Sequence, residues 1–291
     1  KESVQHVSQE WKHGMDYMDL FGVGLARLVG LPEEEFRAWR RLPREEFWQR
    51  WEDHIDRATV PTVEERLAEF SAAGVKWICL HNYDQETTTG VKPFPNEEFA
   101  ALIHRYPDRL FGFGGVDPYK GLAAVRETER CVKELGLKGV AITPFRLKVR
   151  TDDRILYPIY AKCAELGAAV LLHTGIHWAR SVSIDVERPV YLDRVAGFFP
   201  ELKIVAIHGG WPWVNEMVSI AWRHENVFIE TSATRPKYLA APGTGWDSLL
   251  QYGNNVIQNK VVFGSEWNVL GMTLAQVIAE VRQLPLKEEV K

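Results

Sequence analysis

The chain has 291 residues, 46% of them hydrophobic and 25% charged, which is enough for one sizeable core or two small ones. A formal net charge of −4 argues against a nucleic-acid partner or an anionic membrane surface. Three cysteines without a CxxC pair fit a reduced compartment. With no secretory leader and no apolar run of membrane-spanning length, a cytoplasmic protein acting on a small molecule is expected.

Residues 1–61 read as a helical insertion or cover, and the remainder, 62–291, as the main domain. "LPEEEFRAW" and "LPREEFWQRWEDHI" each place Pro near a helix start and carboxylates in the first turn, where the helix dipole favours them. Phe47, Trp51 and Ile55 recur at i, i+4 and i+8 and form one apolar stripe. From Thr62 the pattern changes. "TVEERLAEFSAAG" opens with a Thr62…Glu65 capping box and closes on Gly74. The unit of helix, glycine and apolar run then recurs through "VKWICLH", "LKGVAI" and "AAVLLH". Further strands are expected at "LFGFGGV", "KIVAIH", "NVFIET" and "KVVFGSE", giving strands near residues 76, 110, 138, 168, 203, 226 and 260. Apolar runs without alternation suit strands buried on both faces of a parallel sheet. Seven strands fit a doubly wound sheet, but the glycine-rich nucleotide fingerprint is missing. A (β/α)8 TIM barrel is preferred. Its first strand is then weak, lies upstream of Lys1, or is replaced by part of the leader.

Polar residues gather where these strands end: His81, Asn82 and Asp84, then Asp117, Thr143 with Arg146, His173 with His177, His208, Glu230 with Thr231, and Glu266. In a parallel barrel those ends share one rim, where catalytic groups sit. "LLHTG", "AIHGG" and "FGSE" each deliver one metal-competent side chain beside a glycine, which lets backbone and substrate approach. Two imidazoles and a carboxylate make a reasonable donor set for one divalent cation, zinc being the expected one. The arginines Arg146, Arg180 and Arg235 could clamp a carboxylate, although a surface ion pair is the default for any one of them. Trp178, Trp211, Trp213 and Trp267 flank the candidate ligands and suggest an aromatic-walled pocket. His177 stands between substrate contact and a structural role. His54, His104 and His224 fall in helical or surface-like stretches and receive none.

Together "GLKGVAITP", "VLLHTG", "KIVAIHGGWPWV", "NVFIETS" and "VVFGSEW", with "YPDRLFGFGGVDP" before them, resemble the successive strand motifs of the amidohydrolase superfamily. The similarity is to its amidohydrolase-related branch, which includes aminocarboxymuconate-semialdehyde decarboxylase-like enzymes, and it spans about residues 62–282. The resemblance implies a (β/α)8 barrel with one metal. It implies His173 as a ligand, His208 as a ligand or proton carrier, and Glu266 as ligand and general base. Three departures accompany it. The family's His-x-His on strand one is absent, and His6 and His13 do not form it. Glu266 stands where the family has Asp. The lysine that bridges two metals is missing, Ile142 and Thr143 occupying that stretch.

The leading expectation is a metal-dependent hydrolase that uses metal-activated water, of pKa about 7, on an amide or lactone. Glu266 or His208 would move the proton. His177, Trp178, Arg180, Trp211, Arg146 and Trp267 would contact the substrate. The alternative is a nonoxidative decarboxylase of an aromatic or unsaturated acid, and the third reading is a noncatalytic ligand-binding barrel. A homodimer is the expected assembly.

Overall fold

The computed structural model describes residues 17–291 and, before them, Gln5, Ser8, Gln9, Trp11 and Lys12; His6 and His13 lie outside the described residues. The chain divides into two compact units. One comprises Lys1–Lys76 with Ser265–Ala279, the other Trp77–Gly264 with Glu280–Lys291. No helix among the described residues is long and apolar enough to cross a membrane.

The first unit is helical, through Met18–Leu28, Glu33–Trp39, Arg44–Arg57 and Val63–Ala72. Pro32 and Pro43 each flank a helix start, with glutamates in the following turn. The predicted stripe is fully buried: Phe47, Trp51 and Ile55 are at most 1% exposed, and Trp48 beside them is 2% exposed. Phe36 meets Phe47 and Trp51 edge-on at 6.1 and 5.9 Å. The capping box forms as the spacing requires, with Glu65 N–H donating to Thr62 Oγ1 at 3.1 Å and Thr62 N–H to Glu65 Oε2 at 2.7 Å. This helix keeps company with the leader rather than with the strands that follow it. Phe70 packs its ring edge on Trp267 at 6.5 Å, and the Arg66 guanidinium lies 5.2 Å over the same indole. The compact unit therefore ends at Lys76, beyond the residue-61 boundary suggested by composition, and takes in a returning segment.

The second unit is a TIM-barrel-type α/β fold. Its strands are β1 Ile78–His81, β2 Leu110–Gly115, β3 Gly139–Ile142, β4 Ala169–His173, β5 Lys203–Ile207, β6 Val227–Glu230 and β7 Val261–Val262. All pair in parallel, each with its neighbour in sequence, and β1 and β7 are the edges of the sheet. Among the described residues there is no eighth strand. Helices between the strands include Asn96–Arg105, Leu122–Lys133, Tyr157–Glu165 and Val214–Arg223.

The absence of alternation in the sequence has a direct cause: both faces of the central strands are covered. Val140, Ile142, Val170, Leu172, Ile204, Ala206, Val227 and Ile229 are at most 2% exposed. On the opposite face Phe113, Ala141, Leu171 and Ile207 form one apolar cluster, with Tyr83, Phe111, Ala169 and Val205 packed against it. Because side chains on a strand alternate, the next positions on this second face are His81 on β1, Thr143 just past β3, and His173 at the tip of β4. An apolar layer thus forms the floor beneath a polar one.

Gly139 opens β3 with φ +150°, and a Cβ there would lie 1.8 Å from the Ala169 carbonyl oxygen of the neighbouring strand. Gly139→Ala is expected to unfold at lower urea than Leu172→Ala, which itself removes a fully buried side chain at a cost of about 3 kcal/mol. Equilibrium unfolding of the two variants checks this.

Candidate active site

β4 and β5 pair so that His173 lies opposite Ile207. His208 is the next residue, and it leaves the strand with φ +70°. A non-glycine residue in that left-handed region is strained and is held there by its surroundings. The turn continues through Gly209 at φ +65°, where a Cβ would meet the Trp246 ring at 2.5 Å, so "HGG" is fixed by backbone conformation and by space together. Its result is to swing the His208 ring against His173, with centroids 4.5 Å apart and planes at 70°.

Each ring is anchored through Nδ1. His173 Nδ1 shares a 2.7 Å hydrogen bond with Glu187 Oε2. Glu187 is fully buried, and its other oxygen accepts the Phe145 N–H at 2.9 Å. His208 Nδ1–H donates to Ser232 Oγ at 2.8 Å, and Ser232 Oγ–H donates in turn to Glu230 Oε2 at 2.8 Å. Glu230 Oε2 also accepts the His208 backbone N–H, at 3.2 Å. The space for this carboxylate exists because residue 264 is glycine; a Cβ there would sit 1.1 Å from Glu230 Oε1. These bonds engage each imidazole through Nδ1.

Burial sets the charge state. It pushes His173 and His208 down to about 3, helped at His173 by the Arg146 guanidinium and at His208 by its partner ring. His81, inward on β1 and hydrogen-bonded to the Tyr83 hydroxyl, is pushed to about 4 by burial and by charge on His208, Arg146 and His173. Burial raises Glu187 to about 8. Neutral imidazoles whose Nδ1 is held by a carboxylate, directly or through a hydroxyl, have the donor chemistry of metal-binding histidines. His173 and His208 therefore fit a divalent cation.

Of the predicted trio, His173 and His208 lie together in the second unit. Glu266 belongs to the helical unit, where its carbonyl accepts the Val269 and Leu270 amides at 2.9 and 3.2 Å and its φ is +38°. Among the described residues no group of three or more His, Cys, Asp or Glu side chains is arranged to hold a metal. Arg146 does reach the site's neighbourhood, its guanidinium 5.0 Å over the Tyr83 ring and 5.8 Å from that of Phe145. His177 is buried, lying flat on Phe145 with centroids 4.8 Å apart and planes at 7°. Trp178 is 45% exposed, Trp211 donates its Nε1–H to the Thr244 carbonyl at 2.9 Å, Trp213 lies under Arg188, and Trp267 is in the other unit. The Phe145 ring stands beside His173, with centroids 4.9 Å apart, and the Tyr83 hydroxyl is hydrogen-bonded to His81. Arg180 is exposed, and Arg235 pairs with Glu280. Of the histidines given no role, His54 bonds the Val29 carbonyl and His224 bonds Asp193.

Glu187 and Ser232 were not foreseen. Glu187 lies 14 residues from His173 in an irregular loop, where no periodicity marks a residue, and Ser232 was hidden behind the more conspicuous Glu230 and Thr231. If the Glu187 carboxylate orients His173 for a cation, Glu187→Gln keeps the shape but weakens affinity for added Zn2+ or Mn2+ about 10- to 100-fold, measured by competition with a chelating dye. Unchanged affinity would remove Glu187 from that role.

The family model described as amidohydrolase matches residues 32–290. A 2-amino-3-carboxymuconate-6-semialdehyde decarboxylase of Dictyostelium discoideum is 35% identical over 130 residues, which is 40% of this chain and 36% of that protein; the chain thus matches about a third of that relative's length. A gamma-resorcylate decarboxylase of Polaromonas sp. is 24% identical over 253 residues, 70% of this chain and 73% of that one. Among solved structures, an uncharacterized TIM-barrel protein of Bordetella bronchiseptica has a TM-score of 0.67 at 23% identity, covering 96% of this chain and 88% of that chain. A dihydroxybenzoic acid decarboxylase of Polaromonas sp., with bound manganese and the inhibitor 2-nitroresorcinol, has a TM-score of 0.57 at 17% identity, covering 89% and 90%.

Proposed function

The chain belongs to the amidohydrolase family, and on that premise we propose that it is a metal-dependent, nonoxidative decarboxylase of an aromatic or unsaturated acid. This reverses the order expected from sequence, in which hydrolysis led. Both curated relatives described above are decarboxylases, which favours loss of CO2 over attack by water. Related barrels perform many reactions, so the fold itself gives no preference. The observation that carries the reading is the His173–His208 pair, 4.5 Å apart and anchored at both Nδ1 atoms.

A divalent cation held by His173 and His208 would supply positive charge that binds the substrate carboxylate or a neighbouring oxygen. Zinc was expected from the donor set, and the manganese in a structural neighbour makes that metal the second to try; imidazole accepts either. The chain's own residues do the rest. The Arg146 guanidinium attracts an anionic acid to this end of the sheet. Phe145 and Tyr83 offer flat apolar surface to its ring or double bonds. Enclosure strips water from the carboxylate, which disfavours its charge relative to neutral CO2. The reacting carbon takes a proton, its bond to the carboxyl carbon breaks, and that electron pair returns to the conjugated system as CO2 leaves. With Nδ1–H committed to Ser232, the Nε2 of His208 would be a ligand of the cation, so the proton would come from another acid at this end of the sheet.

The protein loaded with Zn2+ or Mn2+ is expected to release CO2 from 2,6-dihydroxybenzoate or a related acid. Chelation should abolish the activity and the metal should restore it. His173→Ala and His208→Ala are each expected to lose bound metal and, with it, CO2 release. Uptake of ¹⁸O from water into the product of a lactone or amide, without CO2 release from any acid tested, would support hydrolysis instead. Wild-type protein that binds no stoichiometric metal would favour the noncatalytic barrel.

A further inference from the structure

Two polar atoms near the histidine pair are buried and, among the described residues, have no hydrogen-bond partner: Thr143 Oγ1 and His177 Nδ1. Thr143 is 5% and His177 4% exposed. Groups of this kind need a reason, because a buried polar atom without a partner is destabilising.

Thr143 is the residue from which the short helix Pro144–Leu147 starts, a position where a threonine hydroxyl ordinarily accepts an amide N–H of the first turn. Here it does not cap. The Phe145 N–H is taken by Glu187 Oε1 at 2.9 Å, and the Arg146 N–H by Thr143's own carbonyl at 3.1 Å. The hydroxyl is thereby released from its local task. Its direction follows from the strand. Ala141 belongs to the apolar cluster, and Thr143, two residues on, occupies the same face one layer higher. Ile142 pairs with Leu172, so the next step of that ladder sets Thr143 beside His173.

His177 is fixed by two contacts. Its Nε2 donates to the Ser183 carbonyl at 2.9 Å, an oxygen that can only accept. In the neutral ring Nδ1 is then a bare acceptor. Its flat stack on Phe145 ties the ring to the residue two beyond Thr143. An unused O–H group and an unused lone pair thus lie on either side of Phe145 in the chain of contacts. A hydroxyl is the ligand group that both accepts and donates.

We propose that Thr143 and His177 are specificity-determining residues that hold a ring hydroxyl of the substrate, Thr143 O–H donating to it and His177 Nδ1 accepting from it. This rests on the reading of the site as one for aromatic acids and assigns the residues that would hold the hydroxyl of a hydroxylated one. It adds no covalent step.

The test is calorimetric binding of 2-hydroxybenzoate and of benzoate to the metal-loaded protein. Wild type is expected to favour 2-hydroxybenzoate about tenfold or more. Thr143→Val, which keeps the shape, and His177→Phe, which keeps the stack, should bring the two ligands to within about twofold, whereas Thr143→Ser should retain the preference. An unaltered preference in Thr143→Val, or a wild type that binds both probes equally or neither, overturns the proposal. CO2 release by the same samples is followed separately. A wild type that releases CO2 while Thr143→Val keeps its preference refutes this inference alone. A wild type whose preference is lost in the variants but which releases no CO2 from any acid refutes the decarboxylase reading alone.

Discussion

The hydrogen bond between His173 Nδ1 and Glu187 Oε2 holds the polar end of the barrel unit in its observed arrangement. A fully buried carboxylate is costly unless it is satisfied, and this one is satisfied only where β4, the loop beyond it and the turn after β3 come together. One oxygen orients His173, while the other takes the Phe145 amide. That second bond frees the Thr143 hydroxyl and sets Phe145 where His177 can lie on it. A single acidic side chain thereby positions a candidate ligand, an aromatic wall and the hydroxyl proposed to read the substrate.

The second imidazole is held by a different device. His208 reaches its partner through a left-handed backbone residue, and its orientation is maintained by a relay through Ser232 to Glu230. Strain of this kind persists when neighbouring contacts outweigh it. Here the ends of three adjacent strands do so, with Gly264 leaving room for the carboxylate. Rigid β tips supply the precision and the small residues between them supply the space. This division of labour suits a barrel whose chemistry sits at one rim.

Much of this was legible in the sequence. Strand positions could be read because each buried parallel strand is an unbroken apolar run, as "GVAI" and "AVLLH" show. His173 and His208 stood out because each ends such a run beside a glycine. The Thr62–Glu65 capping box is a local interaction and could be read from spacing alone. What could not be read was long-range. Nothing near Glu187 marks it as the partner of His173, and no periodicity separates Trp178, 45% exposed, from an indole that lines a pocket. The unit boundary at Lys76 depends on Phe70 and Arg66 meeting Trp267, a contact between residues far apart in the chain.

The central claim is that His173 and His208 bind one cation together through their Nε2 atoms. X-ray absorption at the metal edge of the Zn2+- or Mn2+-loaded protein tests it most directly. The expected spectrum contains two imidazole nitrogens at about 2.0–2.2 Å, falling to one in His173→Ala and in His208→Ala. A spectrum without imidazole scattering, or one unchanged in both variants, would contradict it.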